Sequence, residues 1–292
     1  MAATAVEPVA PAAPARVLVS RRPRRRLREL ELWVPAGFLI LLILACFVWP
    51  IVYPVPKPIL GSALPNLSPL SHGHLFGTDQ TGNDVFSRIL YGGRVSLEVG
   101  FGSALLGLIV GGGLGALAAY YGGLLEAAVM RLLEIFLAFP SLVLAIVVAS
   151  YLGPSEMHVI WAISFFTVPY FARLARANTL QVREQTYIWA AQIMGVRDWR
   201  TLLRHVAPNI LPPLMTFGLL GVGFSIIIEA ALSFLGLGVP PPHPSWGNMI
   251  SQGQQNLATQ PILVIIPSAF LFATVLAVNL TGDAIRYRWS TR

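Results

Sequence analysis

Charge is scarce in this chain. Asp, Glu, Lys and Arg make up 11% of its 292 residues, against about 25% in soluble domains. Hydrophobic residues make up 55% and the mean hydropathy is +0.67. Too few charges are present to cover a soluble globule, so a membrane protein is expected. Lysine is nearly missing: Lys57 stands alone, inside Pro-Val-Pro-Lys-Pro. A phosphate-binding loop of the Gly-x-x-x-x-Gly-Lys-Ser/Thr kind needs a lysine to reach the phosphates. The chain therefore has no nucleotide site of that kind, and any ATP must be bound by another subunit. Cysteine is a single residue, Cys46, which excludes an intrachain disulfide and paired-thiolate metal sites. No His-Glu-x-x-His pattern occurs, and His72-Gly-His74 with Asp79 reads as loop polarity rather than as a metal site. A Gly-x-Ser-x-Gly nucleophile turn is also missing. No catalytic, metal-binding or cofactor-binding residues are expected, and the chain reads as a non-enzyme.

Long apolar runs are abundant. A spanning helix needs about 20 mostly apolar residues, and six segments approximate this: 33–52, 96–120, 128–151, 157–173, 211–237 and 261–281. The expected fold is an all-α polytopic membrane protein with six transmembrane helices. Pro140 and the glycines at 107, 111, 112, 113 and 115 are tolerable within spans, where neighbours re-satisfy the backbone. Such small residues let helices approach closely.

The formal net charge is +7, but its placement argues against nucleic acid. Arginines crowd between Arg16 and Arg28, just ahead of the first apolar run. That arrangement sets topology or contacts anionic membrane lipid. With the N-terminus inside, only Lys57, Arg88 and Arg94 of the 20 basic residues fall outside, a strong positive-inside bias. Both termini are thus expected in the cytosol. Residues 1–30 read as a disordered basic tail. Residues 31–95 read as the first span plus a long extracytoplasmic segment, Pro-rich at its start, with a short amphipathic helix around Asp84–Tyr91. Residues 96–292 read as the main transmembrane domain, interrupted by a cytosolic loop over 176–210.

That loop carries a polar, Arg-bearing island, residues 186–209. Tyr187 to Met194 reads as a short helix, with Trp189 on it and with Ala190 and Ala191 leaving room for another surface. Gly195 supplies the left-handed position that ends it. Asp198 can cap a second helix, Trp199 to Val206, and Pro208 is expected to stop it. A plain amphipathic helix lying on lipid is the competing reading. In the fifth run, Glu229 is the one membrane acid, and an ionised group at mid-span costs roughly 2.5–3.5 kcal/mol on insertion scales. A role for Glu229 in a pathway or gate and a role in fixing helix packing are equally open. Nearby Ser233 and Phe234 are further pathway candidates. On the outer side, Asp79, Asp84, Pro241 and Trp246 are candidates for contact with an external partner.

These residues carry a resemblance. Ala190-Ala191-x-x-x-Gly195 followed by Pro208 resembles the Glu-Ala-Ala-x-x-x-Gly loop of ABC importer permeases. His74-Leu-Phe-Gly-Thr-Asp-Gln-Thr-Gly-Asn-Asp-Val-Phe-Ser-Arg88, then Gly93-Arg94-Val-Ser-Leu97, is similar to the segment ahead of the second span in the C-type permease of dipeptide and oligopeptide importers. Glu229-Ala-Ala-Leu-Ser-Phe-Leu-Gly-Leu-Gly238, with Pro241-Pro-His-Pro-Ser-Trp-Gly247, is similar to that family's fifth-span exit, and Asn279-Leu-Thr-Gly-Asp283 with Arg286 to its C-terminus. The resemblance covers about residues 30–290. It implies a type I ABC importer fold in the bacterial inner membrane and peptide import, with nickel chelates or another solute as the alternative cargo. It implies four kinds of partner contact: a homologous second permease, two ATPase subunits that bind ATP and Mg, an extracytoplasmic binding protein, and lipid. Tyr187, Trp189, Ala190, Ala191, Gly195, Asp198 and Pro208 would then form the coupling element seated on an ATPase. Trp189 stands where the family loop has Glu, so contact there is expected to be aromatic packing rather than a salt bridge. An ion-coupled secondary transporter is the competing class. It predicts inverted repeats, and no clear repeat is visible.

Overall fold

A computed structural model describes residues 25–52, 63–71 and 73–290. Among these residues the chain is helical, with only two isolated bridges, Ser71 to His74 and Thr78 to Asp84. Helix α1 is Arg25–Phe47, followed by a four-residue turn, Trp49–Val52. Next come α2 (Val85–Tyr121), α3 (Gly123–Leu137), α4 (Ser141–Leu152) and α5 (Glu156–Arg183). A short α6 (Thr186–Ile193) leads to α7 (Asp198–Phe234), a short α8 (Trp246–Gly253) and α9 (Ile262–Ser290). Five helices are long and apolar enough to cross a membrane, or up to six if the bent pair α3–α4 counts as one span.

The expected six runs thus recur, but several boundaries move. The boundary expected at residue 95 falls inside α2. Asp84 caps that helix by accepting the Ser87 N–H at 2.7 Å, so the short helix expected around 84–91 is the start of a 37-residue helix. The third span is not continuous. Pro140 sits in extended backbone at φ −56°, ψ 128°, and α3 meets α4 at 88°. Proline there breaks the helix instead of being absorbed, because the residue ring and its missing N–H fall where the next turn would need a donor. Pro169 behaves oppositely: it lies buried inside α5, a continuous helix of 28 residues from Glu156 to Arg183. Pro208 does not stop a helix either. A wide π-turn, Leu202–Val206, precedes it, so Pro208 enters in the first turn of the following α segment, where its missing N–H is harmless. Helix thus covers most of the segment expected as a cytosolic loop over 176–210, and only 184–185 and 194–197 on either side of α6 are non-helical. Of the basic tail, residues 1–24 lie outside the described residues, as does the Pro-rich stretch 53–62, while Arg25 already belongs to α1.

Three apolar clusters hold the helices together. One joins α1, α2, α7, α8 and α9 around Cys46, Trp246 and Val278. A second joins α2, α4, α5 and α7 around Val99, Ile163 and Leu232. The third locks α6 and the start of α7 onto α2 and α5 through Ile188, Val206, Ala175 and Tyr120. Close approach of α2 to α5 depends on glycine. A Cβ at Gly111 would lie 2.2 Å from the Val168 carbonyl oxygen, and one at Gly115 would lie 2.1 Å from that of Ala172. Backbone sits where a side chain would have to be, as in small-residue helix contacts of membranes. Gly115→Leu is therefore expected to force the two helices apart and to cost at least ~1–3 kcal/mol. Gly113→Leu, at a position with nothing within 4 Å, should be tolerated. Melting curves of the two detergent-solubilised variants check this; equal melting would refute the close-contact argument.

Candidate functional site

The island between α5 and α7 has two faces. Its inner face is fixed: Ile188 and Ala191 are buried, and Leu202 and Val206 continue the same contact. Tyr120 on α2 donates a hydrogen bond to Asp198 Oδ1 at 3.1 Å. Its outer face is bare. Ile193 is 84% exposed, Met194 75% and Trp189 60%, with Tyr187 and Ala190 also exposed. Gly195 has φ +76° and donates its N–H to the Gln192 carbonyl, ending α6 as expected. Two details differ from expectation. Ala191 faces the chain's own core, so only Ala190 is free to meet another surface. Asp198 does not cap: it is the first residue of α7, behind Arg197 in the cap position, and its carboxylate answers Tyr120 instead. Nothing in the sequence links positions 120 and 198; their contact exists only because α2 and α5 bring the helix ends together. Pro208 lies exposed on α7, just past the π-turn.

A second constellation surrounds Glu229, which is fully buried. Ser96 of α2 donates to Glu229 Oε2 at 2.9 Å, and Ser233 donates to Oε1 at 2.6 Å. Trp246 donates its backbone N–H to Ser96 Oγ at 3.3 Å. Asn248 donates its N–H to Ser245 Oγ at 3.2 Å, and Ser245 in turn donates to Ser233 Oγ at 3.1 Å. Backbone N–H groups can only donate, so each serine must accept from one side and pass its own proton to the other. Every arrow ends at the Glu229 carboxyl. The group is thus the common acceptor that ties α2, α7 and α8 together, with no surface of its own. Phe234, a turn further on, is partly exposed.

The outer segment is built by its own acids. Asp79 accepts from the Thr81 N–H and hydroxyl at 2.8 Å each, from the Asn83 N–H at 2.9 Å, and from Arg88. Asp84 caps α2 and pairs with His74 Nδ1 at 2.9 Å. Both carboxylates thus have partners within the chain, in the loop itself and on the first turn of α2. His72 of the weak metal pattern lies outside the described residues. Trp246, also expected on the outer surface, is fully buried; its indole N–H donates to the Ile89 carbonyl at 3.1 Å, over Gly93, where a Cβ would come within 2.7 Å of the ring. Pro241 does stand exposed, at the tip of the 240–244 turn. Burial works to raise the Asp79 carboxyl, yet the Arg88 guanidinium, the Asn83 N–H and the Thr81 hydroxyl together hold it below its ordinary value. A carboxylate with a depressed folded value stabilises above the unfolded value and loses that contribution as pH falls through the folded one. The 77–84 turn should therefore hold at neutral pH and loosen only below the ordinary carboxylate range, near 3.8. Hydrogen exchange of this turn against pH checks it, and Asp79→Asn should exchange fast at every pH.

Comparison with known proteins now decides the family. Residues 111–292 match the family described as binding-protein-dependent transport system inner membrane component. The chain belongs to this family. Its relatives include the glutathione transport system permease protein GsiD of Pectobacterium atrosepticum, 41% identical over 90% of this chain and 87% of that protein. The dipeptide transport system permease protein DppC of Alkalihalophilus pseudofirmus is 42% identical over 73% of this chain and 70% of that one. Among solved structures, a chain of the inward-facing MetNI methionine ABC transporter superposes with a TM-score of 0.56 at 19% identity, covering 68% of this chain and 95% of that chain. At that identity the likeness speaks for the fold alone. The inner-membrane transport family accordingly fits the apolar helices, and the chain is a multi-pass protein of the bacterial inner membrane with the type I importer permease fold.

Proposed function

We propose that this chain is one of two permease subunits of an ATP-driven importer for short peptides, and that α6 with the start of α7 couples it to an ATPase. The single observation that carries the coupling reading is the division of α6 into a locked and a bare face. Ile188 and Ala191 anchor the helix to α2, α5 and α7, while Trp189, Ala190, Ile193 and Met194 stand clear. A rigidly mounted apolar face is what a lever needs, since force on it moves the spans instead of bending the loop. ATP-driven closure of two ATPases would carry this face inward and rock the helices between inward- and outward-open states. A binding protein, loaded outside, would favour one of those states, and only such differential affinity can bias the equilibrium. Neither ATP nor Mg is assigned to this chain; both would belong to the ATPases. The positive-inside bias supports a cytosolic position for α6. Peptide is the cargo carried by the names of the relatives, dipeptide and glutathione.

The test is reconstitution. Co-expressed with its neighbouring permease, ATPase and binding-protein genes, the chain should co-purify with the ATPase. The complex in liposomes should take up di- or tripeptides only with ATP and the binding protein. A complex that accumulates a nickel chelate and no peptide would overturn the cargo, and uptake driven by an ion gradient without ATP would overturn the importer class.

A further inference from the structure

At mid-depth in the helices lies a cavity of about 370 Å³ that the sequence did not announce. Its near wall is the broken span: Phe136 and Phe139 from the end of α3 and Ser141 from the start of α4. Its other walls are Thr167 and Tyr170 on α5 and Gly221 and Phe224 on α7. These positions lie near the middle of α5 and of the apolar part of α7, so the cavity is remote from both ends of the spans. Edge-to-face ring pairs hold the walls: Phe166 with Phe224 at 5.5 Å, Tyr170 with Phe171 at 6.0 Å, and Phe136 with Phe165 at 5.8 Å. Gly221 keeps the floor open, since a Cβ there would press on the Phe171 ring at 3.2 Å. No charged residue lines the space.

Two facts say what faces this cavity. The backbone from 138 to 140 is irregular and exposed. Non-helical backbone at membrane depth is tolerated where it meets protein or a water-filled cavity, not where it meets lipid tails. This side of the chain is therefore turned away from lipid. The volume also falls within the roughly 300–1,000 Å³ of small-ligand sites, too small for a packed helix but ample for one large side chain. Aromatic walls with the hydroxyls of Ser141 and Tyr170, and no charge, suit an apolar group attached to a polar backbone. They offer nothing to a peptide's charged ends.

We propose that this cavity is a waypoint of the translocation pathway that receives an apolar or aromatic side chain of the passing peptide. The proposal rests on the reading of the chain as a peptide importer subunit. Selection by such a site is by size and burial, so it favours bulky side chains without fixing sequence.

The experiment uses the complete transporter in liposomes. First, Tyr170→Cys in a Cys46→Ser background is treated with a charged, water-soluble thiol reagent. Labelling that slows during peptide turnover is expected. Reaction only with a lipid-soluble maleimide would place the position against lipid, and no reaction with either reagent would place it against the second subunit; both results overturn the proposal. Second, initial uptake of diphenylalanine is compared with that of dialanine. Ser141→Trp, which fills the cavity, should lower this ratio at least about fivefold, and Phe224→Ala, which widens it, should raise the ratio. A ratio unchanged in both variants overturns the side-chain role. If the unaltered transporter takes up neither peptide while labelling proceeds, the peptide reading itself has failed and this occupant falls with it.

Discussion

Ala190→Arg is expected to abolish substrate-stimulated ATP hydrolysis, a loss of more than about tenfold, while leaving a folded, membrane-inserted protein. The argument is geometric. Ala190 lies on the bare face of α6, beside Trp189 and one turn ahead of Ile193 and Met194. If that apolar face seats on the ATPase, a guanidinium in its middle would have to be desolvated there, and an unpaired buried charge is not tolerated. Nothing in the chain itself would be disturbed, because the side chain projects away from its core. The neighbouring substitution makes the contrast. Ala191 is only 4% exposed, packed inward with Ile188. Ala191→Arg should therefore destroy folding and yield little inserted protein. The readouts are ATPase stimulation by loaded binding protein for the first variant and detergent-extractable monodisperse protein for both. Normal stimulation in Ala190→Arg would show that α6 does not seat on the ATPase. Equal folding of the two variants would show that its two faces are not as distinct as described. Trp189→Ala refines the point: if aromatic packing replaces a salt bridge there, stimulation should weaken severalfold, and Trp189→Phe should restore most of it.

Glu229→Ala is expected to cost about 2–4 kcal/mol of stability, since it leaves buried hydroxyls without their acceptor and opens a void besides. Ser96 and Ser233 each give their proton to this carboxyl, and each is already receiving a donor from behind. Neither can turn elsewhere without facing donor against donor. Glu229→Gln should be intermediate. Its carbonyl can accept one hydroxyl, but its NH2 meets an oxygen whose own proton then lacks a partner. Heating the detergent-purified transporter and measuring the fraction that stays monodisperse ranks the three. If glutamate serves only as a pathway lining, alanine would change transport without changing melting; the constellation predicts the opposite order. The loss should be felt at the 245–253 segment too. Ser245 and Trp246 enter the same hydrogen-bond chain, so hydrogen exchange in α8 is expected to rise in Glu229→Ala.

Much of the fold was legible because membrane spans are written in composition. Apolar runs and the glycine spacing on α2 act locally or through simple burial, and both recur in the structure. Pro140 and Pro208 depart from expectation for a physical reason. Pro140, Pro169 and Pro208 carry the same missing N–H, yet one breaks a span, one is buried within a helix and one enters behind a π-turn. Which of these happens depends on the neighbouring helices and on the register of the preceding turn, and neither is visible in the residue itself. The internal partners of the outer acids were equally hidden: Arg88, on the first turn of α2, pairs with Asp79, and His74 pairs with Asp84.

The sequence by itself determined the membrane class, the position of the island and the glycine that ends α6. These depend on residue type and short-range spacing, so no partner helix is needed to read them. Only the tertiary structure decided that Ala190 faces out while Ala191 faces in, that Glu229 is a shared acceptor and not a surface group, and that a broken span walls an aromatic cavity. Each of those results from helices far apart in sequence meeting at a particular depth and rotation. Close packing sets that rotation, through contacts such as Gly111 against Val168 and Gly115 against Ala172, where backbone touches backbone and no side chain can slip between.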